Sequence, residues 1–134
     1  MPRNLAPDIE QHRADVLAYI DQQAGVTRAA FVSPGALIED EYRQALRAVE
    51  QWRDAGSPAH DTPDEIVSGA EYSGITPEQA AQEIETTAAQ FDAVLAAIRQ
   101  VRLSHKAAVK AATTAAEIAQ ARIGTDAAYA QIIA

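Results

Sequence analysis

The chain has 134 residues, a net charge of −8 and a pI near 4.7, the length of one domain on a prior of roughly 150 residues per domain. That negative balance opposes attraction to phosphate and gives no help at an anionic membrane, so neither nucleic acid nor a membrane is expected as a partner. Cysteine is absent, which excludes disulfides, thiol chemistry and Cys-based zinc sites.

Hydrophobic residues make up 48% of the chain, yet 31 of them are Ala and only seven side chains are aromatic. This composition predicts a helical protein with thin, close helix contacts, modest monomer stability and an incentive to associate. Met1 to Leu5 show no apolar leader segment, and no apolar run nears the ~20 residues of a membrane span, so a soluble product made in the cytoplasm is expected.

Pro7 and Asp8 open a first helical pattern with Leu17, Ile20, Ala24 and Phe31 on one face, weakened in its middle by Gly25. Ser33-Pro34 reads as the start of a second helix, whose stripe is Ile38, Tyr42, Ala45, Val49 and Trp52; Gly56 followed by Ser57-Pro58 ends it. Trp52 reads as core. Thr62-Pro63-Asp64-Glu65 has the form of a capping box and starts a short helix limited by Gly69, Ser73 and Gly74. Thr76-Pro77-Glu78-Gln79 is a third start, and no breaker follows it until Gly124, which allows a helix from Pro77 toward Arg122. The β-branched pair Thr113-Thr114 marks where that helix would bend or split. Its first half carries Ile84, Ala88, Phe91, Leu95 and Ile98 at heptad spacing, expected to face the stripe from Ile38 to Trp52, with a loss of about 3–5 kcal/mol for Phe91→Ala. Its continuation offers a small-residue seam at Ala108, Ala112 and Ala115.

No segment alternates as a strand would. The predicted fold is all-α, a helical hairpin or irregular helical bundle with one long C-terminal helix. A single domain spans 1–134, with N-terminal helices in 1–56, a connector in 57–75 and the long helix and tail in 76–134.

Candidate chemistry is sparse. His12, His60 and His105 are far apart and have no ligand at metal spacing, so no metal or cofactor is expected. Ser104 stands beside His105 and Lys106, but neighbours on a helix diverge, and no serine sits in a nucleophile motif. The glycines are isolated and form no phosphate loop. The chain is expected not to be an enzyme.

Charge is divided along the sequence: residues 1–98 hold 17 acids and six bases, whereas 99–134 hold two acids and five bases. Arg99, Arg102, Lys106 and Lys110 fall within about 80° of arc on a helix and form one basic stripe. It can pair with the chain's own acids at Glu39, Glu41 or Glu50, or dock a partner. Tyr129, Ile132 and Ile133 in the tail lack obvious intramolecular cover. With the basic stripe they form the expected partner-binding set: Arg99, Arg102, Lys106, Lys110, Tyr129, Ile132 and Ile133. At least a dimer, or a helical partner, is expected through the segment from Val101 to Ile133.

Two ordered segments add a resemblance. Arg28-x-x-Phe31-Val32-Ser33-Pro34-Gly35, followed by Tyr42 and the helix to Trp52, resembles small Ala-rich helical proteins encoded among the tail genes of tailed bacteriophages. Gln79-Ala80-Ala81-x-x-Ile84 and Ile98-Arg99-x-x-Arg102-Leu103-x-x-Lys106-Ala107-Ala108-Val109 look like the second half of the same family, so the resemblance covers roughly residues 14–116. Where members carry a Gly-x-Gly-Gln turn, this chain has Gly35-Ala36-Leu37-Ile38. The resemblance implies no enzyme activity and assigns no functional residue. It implies a structural or adaptor role in the tail, baseplate or fibre, or else a tail-fibre assembly chaperone absent from the virion. Either role implies a tail, baseplate or fibre protein, or another copy, as partner, and a location in the host cytoplasm during assembly.

Overall fold

Asp8 is the N-cap of the first helix, its carboxylate accepting the Glu10 backbone N–H at 3.0 Å, which satisfies one of the orphan donors of a helix start. The computed structural model describes residues 8–31 and 36–134, and side chains from 8–31 and 40–134. The start at Ser33-Pro34 and the side chain of Ile38 therefore lie outside the described residues. Among those described, the architecture is all-α: α1 (Ile9–Ala29), α2 (Ala36–Asp54), a 3-10 turn at Ala59–Asp61, α3 (Asp64–Ser73), α4 (Pro77–Ala111) and α5 (Ala115–Ile133).

Local chemistry accounts for most of the boundaries. Gly56 adopts φ +89 and Gly74 φ +66, the left-handed conformation that closes a helix. In each case the next N–H reaches back to a helical carbonyl, Ser57 to Trp52 at 2.8 Å and Ile75 to Ala70 at 3.0 Å. Thr76 and Gln79 form the expected reciprocal box: the Gln79 N–H donates to Thr76 Oγ1 at 3.1 Å and the Thr76 N–H to Gln79 Oε1 at 3.0 Å. The box expected at Thr62 and Glu65 does not form. Pro63 occupies the cap, the Thr62 hydroxyl turns to the carbonyls of Pro58 and Ala59, and Glu65 accepts from Gln44.

The long C-terminal pattern divides at Thr113-Thr114. Thr114 is extended at φ −130 and ψ 155 and caps α5 by accepting the Glu117 N–H at 3.1 Å. Gly124, expected to end the pattern, lies inside α5 instead. A Cβ there would meet His105 Nε2 at 3.4 Å, so the residue permits close approach of the His105 ring rather than a turn.

The chain packs as two units, residues 1–31 with 94–134, and residues 32–93, a grouping that cuts across the sequence boundaries at 56 and 76. In the second unit Val49 and Trp52 of α2 pack with Ile66 and Ala70 of α3 and with Ala80 and Ala81 of α4; Ile75 and Ile84 cover the edge. The contact is thin because Gly69 and Ala80 allow α3 and α4 to approach closely, a Cβ at Gly69 lying 3.8 Å from that of Ala80. The Trp52 indole N–H donates to the Pro58 carbonyl at 3.0 Å. Arg53 lies beside the Trp52 ring and bridges Glu85 and Glu78 at 2.7 and 2.9 Å.

In the first unit α1 packs on α5 and on the end of α4. Val16, Ile20, Val109, Ala112 and Ile118 form one cluster, and Ala24, Ile98 and Tyr129 a second. The buried stripe of α1 is Val16, Ile20, Ala24 and Thr27. Leu17 is at its margin, and Phe31 falls beyond the helix end and is exposed. The expected stripe of α4 is shared out in the same way. Ile84 joins the α2 and α3 cluster, Ile98 packs with Tyr129, and Phe91 belongs to neither buried cluster. Tyr42, expected in the core, is 52% exposed.

Candidate functional site

The seven residues expected to bind a partner occupy very different environments. Lys106 of α4 is held by Asp21 of α1, with Nζ 2.9 Å from one carboxylate oxygen and 3.1 Å from the other, so its partner is neither Glu41 nor Glu50; the Glu39 side chain lies outside those described. Arg102 is half-buried and close enough to Tyr129 for its charge to act on the phenol. Tyr129 is 3% exposed, and its hydroxyl donates to the Ile20 carbonyl at 3.2 Å. It is a core residue that joins α5 to α1, so it offers no side chain to a partner. Burial raises its phenol above the usual value. Ile132 packs against the Tyr129 cluster. Arg99, Lys110 and Ile133 remain exposed, the last at 50%.

The basic stripe therefore splits lengthwise. Its edge at Arg102 and Lys106 serves the chain's own packing, and its edge at Arg99 and Lys110 faces outward. The small-residue seam splits likewise: Ala112 is buried, while Ala108 and Ala115 are exposed.

Two side chains missing from that set organise the same unit. The Arg13 guanidinium donates to the carbonyls of Val109, Lys110 and Ala112, the last at 2.9 Å. These carbonyls lie at the end of α4, where helical carbonyls have no intrahelical donor. One cation from α1 thus satisfies them and meets the negative end of the helix dipole. Tyr19 donates to Asp126 Oδ1 at 2.5 Å while Arg122 lies over its ring at 4.1 Å. The hydrogen bond to Asp126 is the main cause holding the Tyr19 phenol protonated to higher pH. Arg122 and Asp126 stand four apart on one helix face, a legible pair; nothing in the sequence points it at Tyr19.

Ser104 and His105 come within 3.3 Å, Oγ to Nδ1. The same Nδ1 is 2.9 Å from the Val101 carbonyl, which can only accept, so Nδ1 carries a proton and cannot take one from Ser104. This geometry does not activate the hydroxyl. Among the described residues no three His, Asp or Glu group as metal ligands, and no buried polar side-chain atom is left without a partner. A shallow groove lined by Ile75, Gln79, Gln82, Glu83, Thr86 and Thr87 opens on α4, but Gln79 and Gln82 are already committed to Thr76 and Glu78.

The surface itself is what stands out. Val26, Leu103, Ile123 and Ile133 are all about half exposed, and no described helix is long and apolar enough to cross a membrane. Such side chains on outer helix faces suit contact with another helical surface. In comparisons with known proteins, no family model, curated protein or solved structure matches the chain.

Proposed function

We propose that this chain is a non-enzymatic structural or adaptor component of a bacteriophage tail, baseplate or fibre, acting through helix-mediated protein contacts. The observation that carries the reading is the order of its two motifs, Arg28 to Trp52 and then Gln79 to Val109, on a chain of Ala-rich helices. Half-exposed Leu103, Ile123 and Ile133 support it, because they place apolar surface on the outer faces of α4 and α5. The partner is another tail protein or a further copy, met in the host cytoplasm during assembly.

Mass spectrometry of purified virions tests this reading. Stoichiometric abundance in the particle is the expected result. Absence from virions with abundance in lysates would assign the role of a tail-fibre assembly chaperone, which shields a partner and then leaves. Absence from both, in cells producing the phage that encodes the chain, would overturn the reading.

A further inference from the structure

The two units differ in charge. Residues 32–93 carry 13 acids and three bases, whereas residues 1–31 and 94–134 together carry six acids and eight bases. Each unit also presents a charged helix face that its own neighbours leave uncovered. On α3, Asp64 and Glu71 are two turns apart on the exposed side, and Tyr72 next to them is 97% exposed. On α4, Arg99 and Lys110 flank Leu103, which is 49% exposed. None of these four charges has a partner among the described residues.

We propose that these faces are the two halves of one contact, through which the α3 face of one copy of this chain docks on the α4 face of the next. The faces match in kind: each has two like charges around one large exposed apolar or aromatic side chain, and the charges are opposite. They also match in length. Asp64 to Glu71 spans about 10 Å and Arg99 to Lys110 about 16 Å at 1.5 Å per residue, a difference that the long basic side chains close by leaning inward. Tyr72 then lies over Leu103, with Arg99 beside the ring.

Like faces repel, so α3 does not pair with α3 nor α4 with α4; the α3 face of one copy meets the α4 face of another, either reciprocally about a two-fold axis or head to tail. A second copy is the occupant because it supplies the complement of both faces, whereas a foreign partner matching one leaves the other bare. Reciprocal pairing closes a dimer and head-to-tail repetition makes a ring or an open filament; the proposal deepens, and rests on, the reading of the chain as an assembly component.

Analytical ultracentrifugation of the full chain with two double variants tests the idea. In Arg99→Glu with Lys110→Glu the α4 face is spoiled, and in Asp64→Lys with Glu71→Lys the α3 face is spoiled. The wild type should grow beyond a monomer with concentration at low ionic strength and revert at high salt. Each variant alone should stay monomeric, self-association falling at least about tenfold, with an unchanged circular dichroism spectrum. Mixed in equal amounts, the two variants should assemble again as the wild type does, because the native α3 face of the first meets the native α4 face of the second and their two reversed faces are opposite in charge as well. Should a charge reversal disturb the helix spectrum, Arg99→Gln with Lys110→Gln and Tyr72→Ser take its place, with the same expected loss.

A wild type that stays monomeric at low salt, variants that assemble as the wild type does, or a mixture that stays monomeric would each overturn the contact. Virion abundance is read separately: a monomeric chain found in virions sinks this contact and leaves the tail reading intact. An assembling chain absent from virions and lysates does the reverse.

Discussion

Arg13 shows how one side chain can set the junction of three helices. Its guanidinium serves the carbonyls at the end of α4, and its side chain is only 17% exposed. Arg13→Ala leaves these groups short of a donor in a poorly solvated place, with an expected loss of about 1–3 kcal/mol in urea denaturation. Arg13→Lys should recover only part of it, since an ammonium cannot span several carbonyls as a planar fork does. The two phenols act at the opposite end of the pH scale. Tyr19 is raised by its bond to Asp126 and Tyr129 by burial. Their contribution is complete below the unfolded phenol value of about 10. Above it the unfolded chain gives up protons that the fold retains, so stability falls as pH rises. Tyr19→Phe and Tyr129→Phe should each flatten that alkaline decline, and absorbance titration at alkaline pH should show both phenols ionising late.

At the scale of elements, what was legible in the sequence was what is decided locally. Thr76 with Gln79, the stop at Gly56 and the split at Thr113-Thr114 depend on residues within a few positions of one another, and all appear in the structure. The facing of helices was less legible. α5 is apolar on nearly every side, with Ala119, Ile123 and Ala127 exposed opposite buried Ile118, Thr125 and Tyr129, and periodicity cannot choose between such faces. Tyr129 was therefore expected at the surface. Arg13 was out of reach for another reason: its carbonyl partners are 96 to 99 residues away in sequence.

The helical glycines make a test at this scale. Gly25 has nothing within 4 Å of a would-be Cβ, so Gly25→Ala should stabilise by about 0.5–1 kcal/mol through helix propensity alone. Gly124→Ala should gain less, because its Cβ touches the His105 ring. Gly124→Val should lose stability, as its branches need space that the imidazole occupies. Thermal unfolding of the three variants ranks them directly.

For the molecule as a whole, each unit has its own small core, and the expected cost of a cavity follows the core it is made in. Ile66→Ala and Ile118→Ala both empty fully buried sites and should each cost about 2–5 kcal/mol. Hydrogen exchange should show the first loosening residues 40–93 and the second loosening 8–31 with 94–134. Phe91→Ala, by contrast, should cost well under the 3–5 kcal/mol of a full core aromatic, since Phe91 lies outside the buried clusters.

The unit holding Val16 and Ile20 is built from two stretches with residues 32–93 between them. On the ribosome this means that α1 is made first and covered last. The intervening unit is contiguous and can close as soon as it emerges. The apolar stripe of α1 must wait while about a hundred further residues are translated, roughly 5–20 s at about 5–20 residues per second. Throughout that interval Val16, Ile20 and Ala24 are bare on the nascent chain, and the surfaces that suit them are its own unmade C-terminal helices or those of a neighbour on the same messenger. A premature stop before the end of α4 would leave that stripe without some or all of Ile98, Val109, Ala112 and α5 to cover it, marking the truncated product for chaperones and proteases.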